Sequence, residues 1–380
     1  MARRDIGTDD PRVRVRPGKG SRPRTKRRPD YSDRPVGQVM AVDRGRYRVI
    51  LDGEEITAVK ARELGRGAVV VGDRVRLTGD LSGRKDTLAR IVTVEPRRSQ
   101  VRRSAEDSDA KGQEKTMVAN ADYLVIVVAL TNPPPRPGFI DRCLVAAFDG
   151  HLQPIVCITK ADLGSGSEIL ALTRALDVTT IVTSADPDDP HASGVEQLRS
   201  VIGGHVSVLI GHSGVGKSTL INALIPQAQR ETGHVNAVTG RGRHTSTSVV
   251  ALPLPGGGWA IDTPGVRGFG LAHVEADNII TAFPDLEQAC EQCPRGCTHA
   301  ASESECGLDL WVEATHISHT GESGSTTVAA TSEADIAAHQ TVLDGEYERR
   351  RQRVDSVRRL LESVREAQAP QWQQTNRSTY

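Results

Sequence analysis

The run Gly211-His212-Ser213-Gly214-Val215-Gly216-Lys217-Ser218, followed by Thr219, has the spacing G-x-x-x-x-G-K-[ST]. Glycines at such positions let successive backbone N–H groups turn inward around phosphate oxygens. The helix expected to begin behind them adds the positive end of its dipole. Lys217 then reaches the β- and γ-phosphates, and Ser218 offers a hydroxyl to Mg²⁺. The chemistry is capture of a nucleoside triphosphate with its magnesium. Downstream, Asp262-Thr263-Pro264-Gly265 supplies a carboxylate for the metal, through water, and a backbone N–H at Gly265 for the γ-phosphate. Between them lies the polar loop GRGRHTST at 240–247, whose Thr245 can complete the magnesium shell begun by Ser218.

A second group of residues can read a base. Thr159-Lys160-Ala161-Asp162 closes an apolar run, PIVCI, and a carboxylate at Asp162 can accept from both N1–H and the 2-amino group of guanine, a pair of donors adenine lacks. Lys160 would lay its stem along the base. Ser184 and Ala185 end the next apolar run and bring their backbone near the guanine O6. A third group is metal-ligating: Cys290, Cys293, Cys297, His299 and Cys306 fall within one short stretch. Three thiolates and an imidazole make a tetrahedral set for structural Zn²⁺, and four protein ligands leave no open position for catalysis. The run Cys293-x₃-Cys297-x-His299-x₆-Cys306 provides such a set, while Cys290-x₂-Cys293 is an equally attractive pair by spacing.

The elements that must hold these residues follow from pattern. From 119 to 272 the apolar runs YLVIVVAL, PIVCIT, TTIVTSA, VSVLIGHSG, VVALPL and WAIDTPG alternate with helical text, the mark of a largely parallel sheet covered on both faces. Residues 35–96 carry short alternating strands separated by Gly and Asp turns, the size of a small β-barrel with the OB-fold as leading candidate. Residues 97–118 read as a linker opening on the basic cluster PRRSQVRR. Beyond the sheet, residues 273–367 read as a zinc-binding helical domain with a polar insertion near 313–335, and 368–380 as a tail. A charged helix near 340–367 carries Val354, Val357, Leu361 and Val364 as one apolar stripe, which is packing. The fold class is thus multidomain α/β.

Composition narrows the setting. The 380 residues balance 48 Lys and Arg against 48 Asp and Glu, yet the balance is uneven. Through Arg28 there are eleven basic residues against three Asp, in Pro- and Gly-rich text almost without large apolar residues, so residues 1–34 read as a disordered basic arm. No stretch approaches the roughly 18–20 apolar residues of a membrane span, and the opening residues lack the apolar core of a secretory signal. The expectation is a cytoplasmic monomer with reduced cysteines, touching no membrane.

The order of these motifs carries a resemblance. The base-reading elements at 159–162 and 184–185 precede the phosphate loop at 211–218, the reverse of the usual GTPase order. With a barrel before them and a Cys/His knuckle after, and with FIDR at 139–142, GRHTST at 242–247 and CPRGCTH at 293–299, the chain resembles the RsgA/YjeQ family of circularly permuted GTPases that depend on the small ribosomal subunit. The likeness covers roughly residues 36 to 310 and the final helix. It implies Cys293, Cys297, His299 and Cys306 as the zinc ligands, Mg²⁺ with GTP, and the small ribosomal subunit with its rRNA as partner. The implied activity is GTP hydrolysis to GDP and phosphate in late maturation or checking of that subunit. A GTP-switched RNA-binding chaperone with negligible hydrolysis is the alternative. Thr159 stands where the family has Asn. Many GTPases place a water-orienting Gln directly after D-x-x-G; here that residue is Val266, a hydrophobic replacement the family implies, so His244 becomes the candidate to position the water.

Overall fold

The computed structural model describes residues 30–65, 67–103, 115–164, 166–184, 186, 188–226, 249–263, 269, 271, 273–303, 305–317 and 333–368. The chain divides into two compact units, Met1–Asp33 and Arg34–Tyr380. Of the first, residues 30–33 are described, a turn in which the Ser32 amide donates to the Asp30 carboxylate at 2.9 Å. The rest of the expected basic arm up to residue 29 lies outside the described residues.

Alternation builds the first part of the second unit. In β2 (Arg46–Leu51), Tyr47, Val49 and Leu51 are buried while Arg46 and Arg48 face water. With β1 (Val36–Asp43), β3 (Glu54–Lys60), β4 (Arg74–Gly79) and β5 (Ala89–Val94) it forms a ladder in the order β1-β2-β3-β5-β4, closed by β1 pairing with β4. Only β3 and β5 run parallel. This is a closed five-stranded barrel of OB type, as expected, and closure leaves no free strand edge within it.

The segment read as a linker carries structure of its own. β6 (Gln100–Arg103) and β7 (Lys115–Ala119) pair antiparallel, and Val101 and Val118 are buried where they face the core. Eleven residues separate the two strands, and neither is an unbroken apolar run, so neither alone signals the ladder. Its basic cluster is also not free. Arg97 reaches the fully buried Asp73 at 2.8 Å, and Arg98 meets Asp122 at 2.6 Å. These two arginines tie the basic cluster to the barrel at Asp73 and to the start of the following sheet at Asp122.

The second sheet begins with β8 (Tyr123–Ala129), α1 (Pro137–Asp149) and β9 (Gln153–Thr159). A 3₁₀ turn (Ala161–Leu163), α2 (Ser167–Arg174), β10 (Thr179–Val182), α3 (Gly194–Ile202), β11 (Val206–Ile210) and α4 (Lys217–Leu224) follow, then β12 (Val250–Pro253) and β13 (Trp259–Asp262). The order β10-β9-β8-β11-β13 is parallel throughout, and β12 adds antiparallel to β13. Residues of β8 alternate between two cores. Leu124, Ile126 and Val128 pack with Ile140, Cys143 and Leu144 of α1, while Val125, Val127 and Ala129 pack with Leu198 of α3 and Leu220 and Leu224 of α4. Both faces are therefore covered, which is why the strands read as continuous apolar runs. Through Ala41 and Val250, β1 and β12 join barrel and sheet into one eleven-stranded sheet.

Helices close the chain: α5 (Ala276–Ile280), α6 (Pro284–Cys290), α7 (Gly307–Ile317) and α8 (Glu333–Gln368). The stripe Val354, Val357, Leu361 and Val364 is buried against α1 and α7. Of the stretch read as an insertion, residues 313–317 continue α7 and 333–335 open α8, with 318–332 outside the described residues. Arg359 of α8 reaches the buried Asp141 of α1 at 3.0 Å, and Arg353 reaches Asp285 of α6 at 2.6 Å. Burial pushes the Asp141 carboxyl up despite the opposing Arg359. Removing Arg359 would leave an uncompensated buried carboxylate, the costly way to break such a pair. No helix among the described residues is long and apolar enough to cross a membrane.

Candidate nucleotide site and metal knuckle

In a parallel sheet, ligands gather beyond the carboxyl ends of the strands. Four such ends supply this site: β9 leads to Lys160 and Asp162, β10 to Ser184, β11 to the 211–218 loop, and β13 ends at Asp262. The loop after β11 runs into α4, whose first residue is Lys217. Gly214 and Gly216 hold φ of 84° and 90°, the left-handed region where a side chain is strained. A Cβ on Gly211 would fall 2.5 Å from the Val127 carbonyl oxygen. The glycine spacing is thus a backbone requirement at three points. Val215 points inward and is buried, whereas Ser213, Gly214 and Thr219 are exposed.

Charge is arranged around this turn. The Lys217 ammonium donates to an Asp262 carboxylate oxygen and, at 3.3 Å, to the Thr263 carbonyl. Thr263 is buried and donates its hydroxyl to the Leu209 carbonyl at 2.8 Å, tying β13 to β11 just below the loop. The cation and the carboxylate that the sequence marks as candidates for phosphate and Mg²⁺ therefore stand side by side at one strand end. Ser218, the other proposed metal ligand described, is the second residue of α4, next to Lys217. His212 packs its ring against Phe139 of α1, centroids 4.2 Å apart. Burial, then nearby Arg136, lowers its pKa, so its imidazole is neutral near pH 7.

The base-reading turn is wired into the phosphate loop. The Thr159 hydroxyl lies 2.5 Å from the Val215 carbonyl and 3.2 Å from that of Val128. A hydroxyl donates one proton, and the shorter contact takes it. A threonine where the family has Asn thus still braces the loop. Lys160 adopts a left-handed backbone, φ 59°, and its ammonium donates to the Asn132 and Thr131 carbonyls, the latter at 3.3 Å. Asp162 is exposed, and the buried Ser184 donates its hydroxyl to Asp162 Oδ1 at 3.1 Å. The Ser184 side chain thus fixes the carboxylate, in addition to the backbone role the sequence suggests for it. Ala161 sits in the same turn, its amide donating to the Thr183 carbonyl at 3.3 Å. Ala185, His244, Thr245, Gly265 and Val266 lie outside the described residues.

The cysteine cluster converges on one atom. Cys293 Sγ and Cys297 Sγ each lie 3.6 Å from His299 Nδ1, and Cys306 Sγ lies 3.7 Å away. The ligand atoms of these four residues all fall within 4.8 Å of one another. Two backbone amides donate to sulfur, Gly307 N to Cys293 at 3.2 Å and His299 N to Cys297 at 3.4 Å, which favours the thiolate a metal needs. Burial holds His299 below the ordinary histidine value, keeping the ring in its neutral, ligating form. The donors fit a tetrahedral zinc. From outside, Arg358 donates to the His299 carbonyl at 3.0 Å and Arg365 to that of Thr298, so α8 clasps the knuckle.

Known proteins share this organisation. Residues 94–272 match the family described as RsgA GTPase. A Chlorobaculum parvum protein named small ribosomal subunit biogenesis GTPase RsgA is 36% identical over 259 residues, 67% of this chain and 82% of its own length. A Pseudomonas aeruginosa protein of the same name is 38% identical over 248 residues, 63% of this chain and 69% of its own. Among solved structures, YjeQ from Thermotoga maritima superposes with a TM-score of 0.53 at 24% identity, covering 82% of this chain and 99% of that one. The circularly permuted GTPase YloQ gives 0.52 at 22%, covering 83% and 96%. Their agreement with this chain extends to the architecture. Identity at the first level, across 82% of a relative's length, is kinship rather than chance, and the chain belongs to the RsgA GTPase family.

Proposed function

We propose that this protein hydrolyses GTP to GDP and phosphate, and that it does so while bound to the small ribosomal subunit during that subunit's biogenesis, as a cytoplasmic monomer. The observation that carries the reading is the direct bridge from Thr159 to the Val215 carbonyl, which joins a guanine-selecting turn to a phosphate loop. A base read at Asp162 and a triphosphate held at Lys217 are then parts of one rigid site. Lys217 neutralises the β- and γ-phosphates, while Ser218, Thr245 and, through water, Asp262 hold Mg²⁺. When bound, that ion neutralises charge developing on the transferred phosphoryl group. Zinc at Cys293, Cys297, His299 and Cys306 is structural.

Turnover measured with each ribosomal subunit separately tests the proposal. GTP hydrolysis should rise at least tenfold with small subunits and stay at its intrinsic rate with large ones, an increment that needs about 1.4 kcal/mol of barrier. GTP binding without any stimulated turnover would instead favour the switched chaperone.

The RNA contact has its own support. Arg44, Arg46, Arg62, Arg74, Lys85 and Arg90 of the barrel region are exposed and make no ion pair among the described residues. These cations, which stand among exposed acids such as Asp43, Asp52 and Glu63, are available to RNA phosphates. Affinity for small subunits should fall linearly as log salt rises. Arg46→Ala and Arg74→Ala should each lessen the slope by about one. Deleting residues 1–34 should flatten it further. Slopes that match the parent in all three variants would remove arm and barrel from the RNA contact.

A further inference from the structure

The knuckle holds one sulfur more than a tetrahedral ion can use. Cys290 Sγ lies 3.8 Å from His299 Nδ1, within 0.2 Å of the distances found for Cys293, Cys297 and Cys306. Four sulfurs therefore lie at similar distances from one imidazole nitrogen, although the group whose ligand atoms all fall within 4.8 Å of one another is Cys293, Cys297, His299 and Cys306. The local backbone explains how. Cys290 ends α6, and the Cys293 amide donates to the Cys290 carbonyl at 3.0 Å, a turn that sets the two sulfurs side by side. Cys297 and His299 arrive from the next turn, where the Cys297 amide meets the Pro294 carbonyl at 3.1 Å, and Cys306 comes from the start of α7.

We propose that Cys290 and Cys293 share a single coordination position of the zinc, either sulfur completing the set with Cys297, His299 and Cys306. This rests on the reading of the cluster as a zinc site. The Gly307 amide bonds to Cys293 and so favours that sulfur at rest. Cys290, half-buried and with no amide bonded to its sulfur among the described residues, is the one displaced. Exchange needs no oxidant: one Zn–S bond breaks as another forms, and the proton of the incoming thiol passes to the departing thiolate. Loss of either sulfur by alkylation then leaves the metal in place. Cys297 and Cys306 have no such neighbour across a turn, so neither is replaceable.

Zinc content and cobalt spectra of the full chain test this. The thiolate-to-cobalt charge-transfer intensity counts the sulfurs on the metal, so it separates a replacement cysteine from a water or serine that merely fills the gap. Cys290→Ser and Cys293→Ser should each retain about one zinc per chain and the full intensity of a three-sulfur site. Cys290→Ser/Cys293→Ser should drop to about two thirds of that intensity and surrender zinc to a chelator that leaves the parent loaded, as should Cys297→Ser. If Cys293→Ser behaves like Cys297→Ser, or Cys290→Ser like the double variant, the position is not shared. A variant-free measurement stands beside these. Zinc-loaded parent should expose one fast-alkylating thiol, located by peptide mapping at Cys290 or Cys293, since Cys143 and Cys157 are fully buried. No fast thiol at either position overturns the proposal. A parent that binds no zinc at all fails the zinc reading first, and the shared position with it.

Discussion

Asp162→Asn is expected to lower affinity for GTP by about 10²- to 10³-fold and to raise affinity for xanthosine triphosphate. In the proposed site the carboxylate accepts two hydrogen bonds from guanine, at N1–H and the 2-amino group, and charge-assisted bonds contribute about 1.5–3 kcal/mol each. An amide at the same place turns an acceptor toward one donor and its own NH₂ toward the other, so one bond becomes a clash of donors. Xanthine carries an oxygen at position 2, which that NH₂ can serve. The structure adds the reason the substitution should act cleanly. Ser184 donates to Asp162 Oδ1 at 3.1 Å, so an Asn oxygen retains that bond and its nitrogen is directed to the base. Ser184→Ala in the same assay should cost only several-fold, because it removes an orienting bond and leaves the charge. Equilibrium binding of GTP, ATP and xanthosine triphosphate to the three proteins measures this. Equal affinity of the parent for ATP and GTP would dismiss Asp162 as the selector.

The contrast between Asp162 and Ser184 shows where sequence stops being informative. Asp162, Lys217 and Asp262 are legible because their chemistry depends on local spacing within one strand-and-turn. The barrel and the parallel sheet are legible for a similar reason: period-2 burial in β2 and unbroken apolar runs in β8 are properties of single segments. What escaped notice is long-range. Thr159 meets Val215 across 56 residues, and Arg359 meets Asp141 across 218. The Asp of FIDR reads as a helix residue with no assigned partner until α8 lies over it. The β6–β7 ladder and the single register point Ala41–Val250 that fuses the two sheets are equally silent in one dimension. In the knuckle, spacing left Cys290 and Cys293 as rivals, whereas the fold puts both sulfurs within reach of the same imidazole.

His244→Ala, assayed with saturating small subunits, should reduce stimulated turnover by about 10²- to 10³-fold while GTP affinity stays within a few-fold, the range expected for loss of a group that orients or deprotonates water. The argument begins at Val266, which occupies the place of the usual glutamine and can neither donate nor accept a hydrogen bond. The water must be held from elsewhere, and two histidines flank the γ-phosphate in sequence. One, His212, has its ring packed on Phe139 at 4.2 Å and belongs to the loop proposed to wrap the phosphates. The other, His244, adjoins the magnesium ligand proposed at Thr245, on the segment that crosses from α4 to β12. Placement of this residue by the partner is the step that would give the proposed slow intrinsic and fast stimulated rates. Intrinsic turnover without subunits should change far less than stimulated turnover, because only the latter uses the placed ring. Should His212→Ala abolish stimulation and His244→Ala spare it, the assignment moves to the phosphate loop. Should both variants keep full stimulation, the group that positions the water belongs to the ribosome.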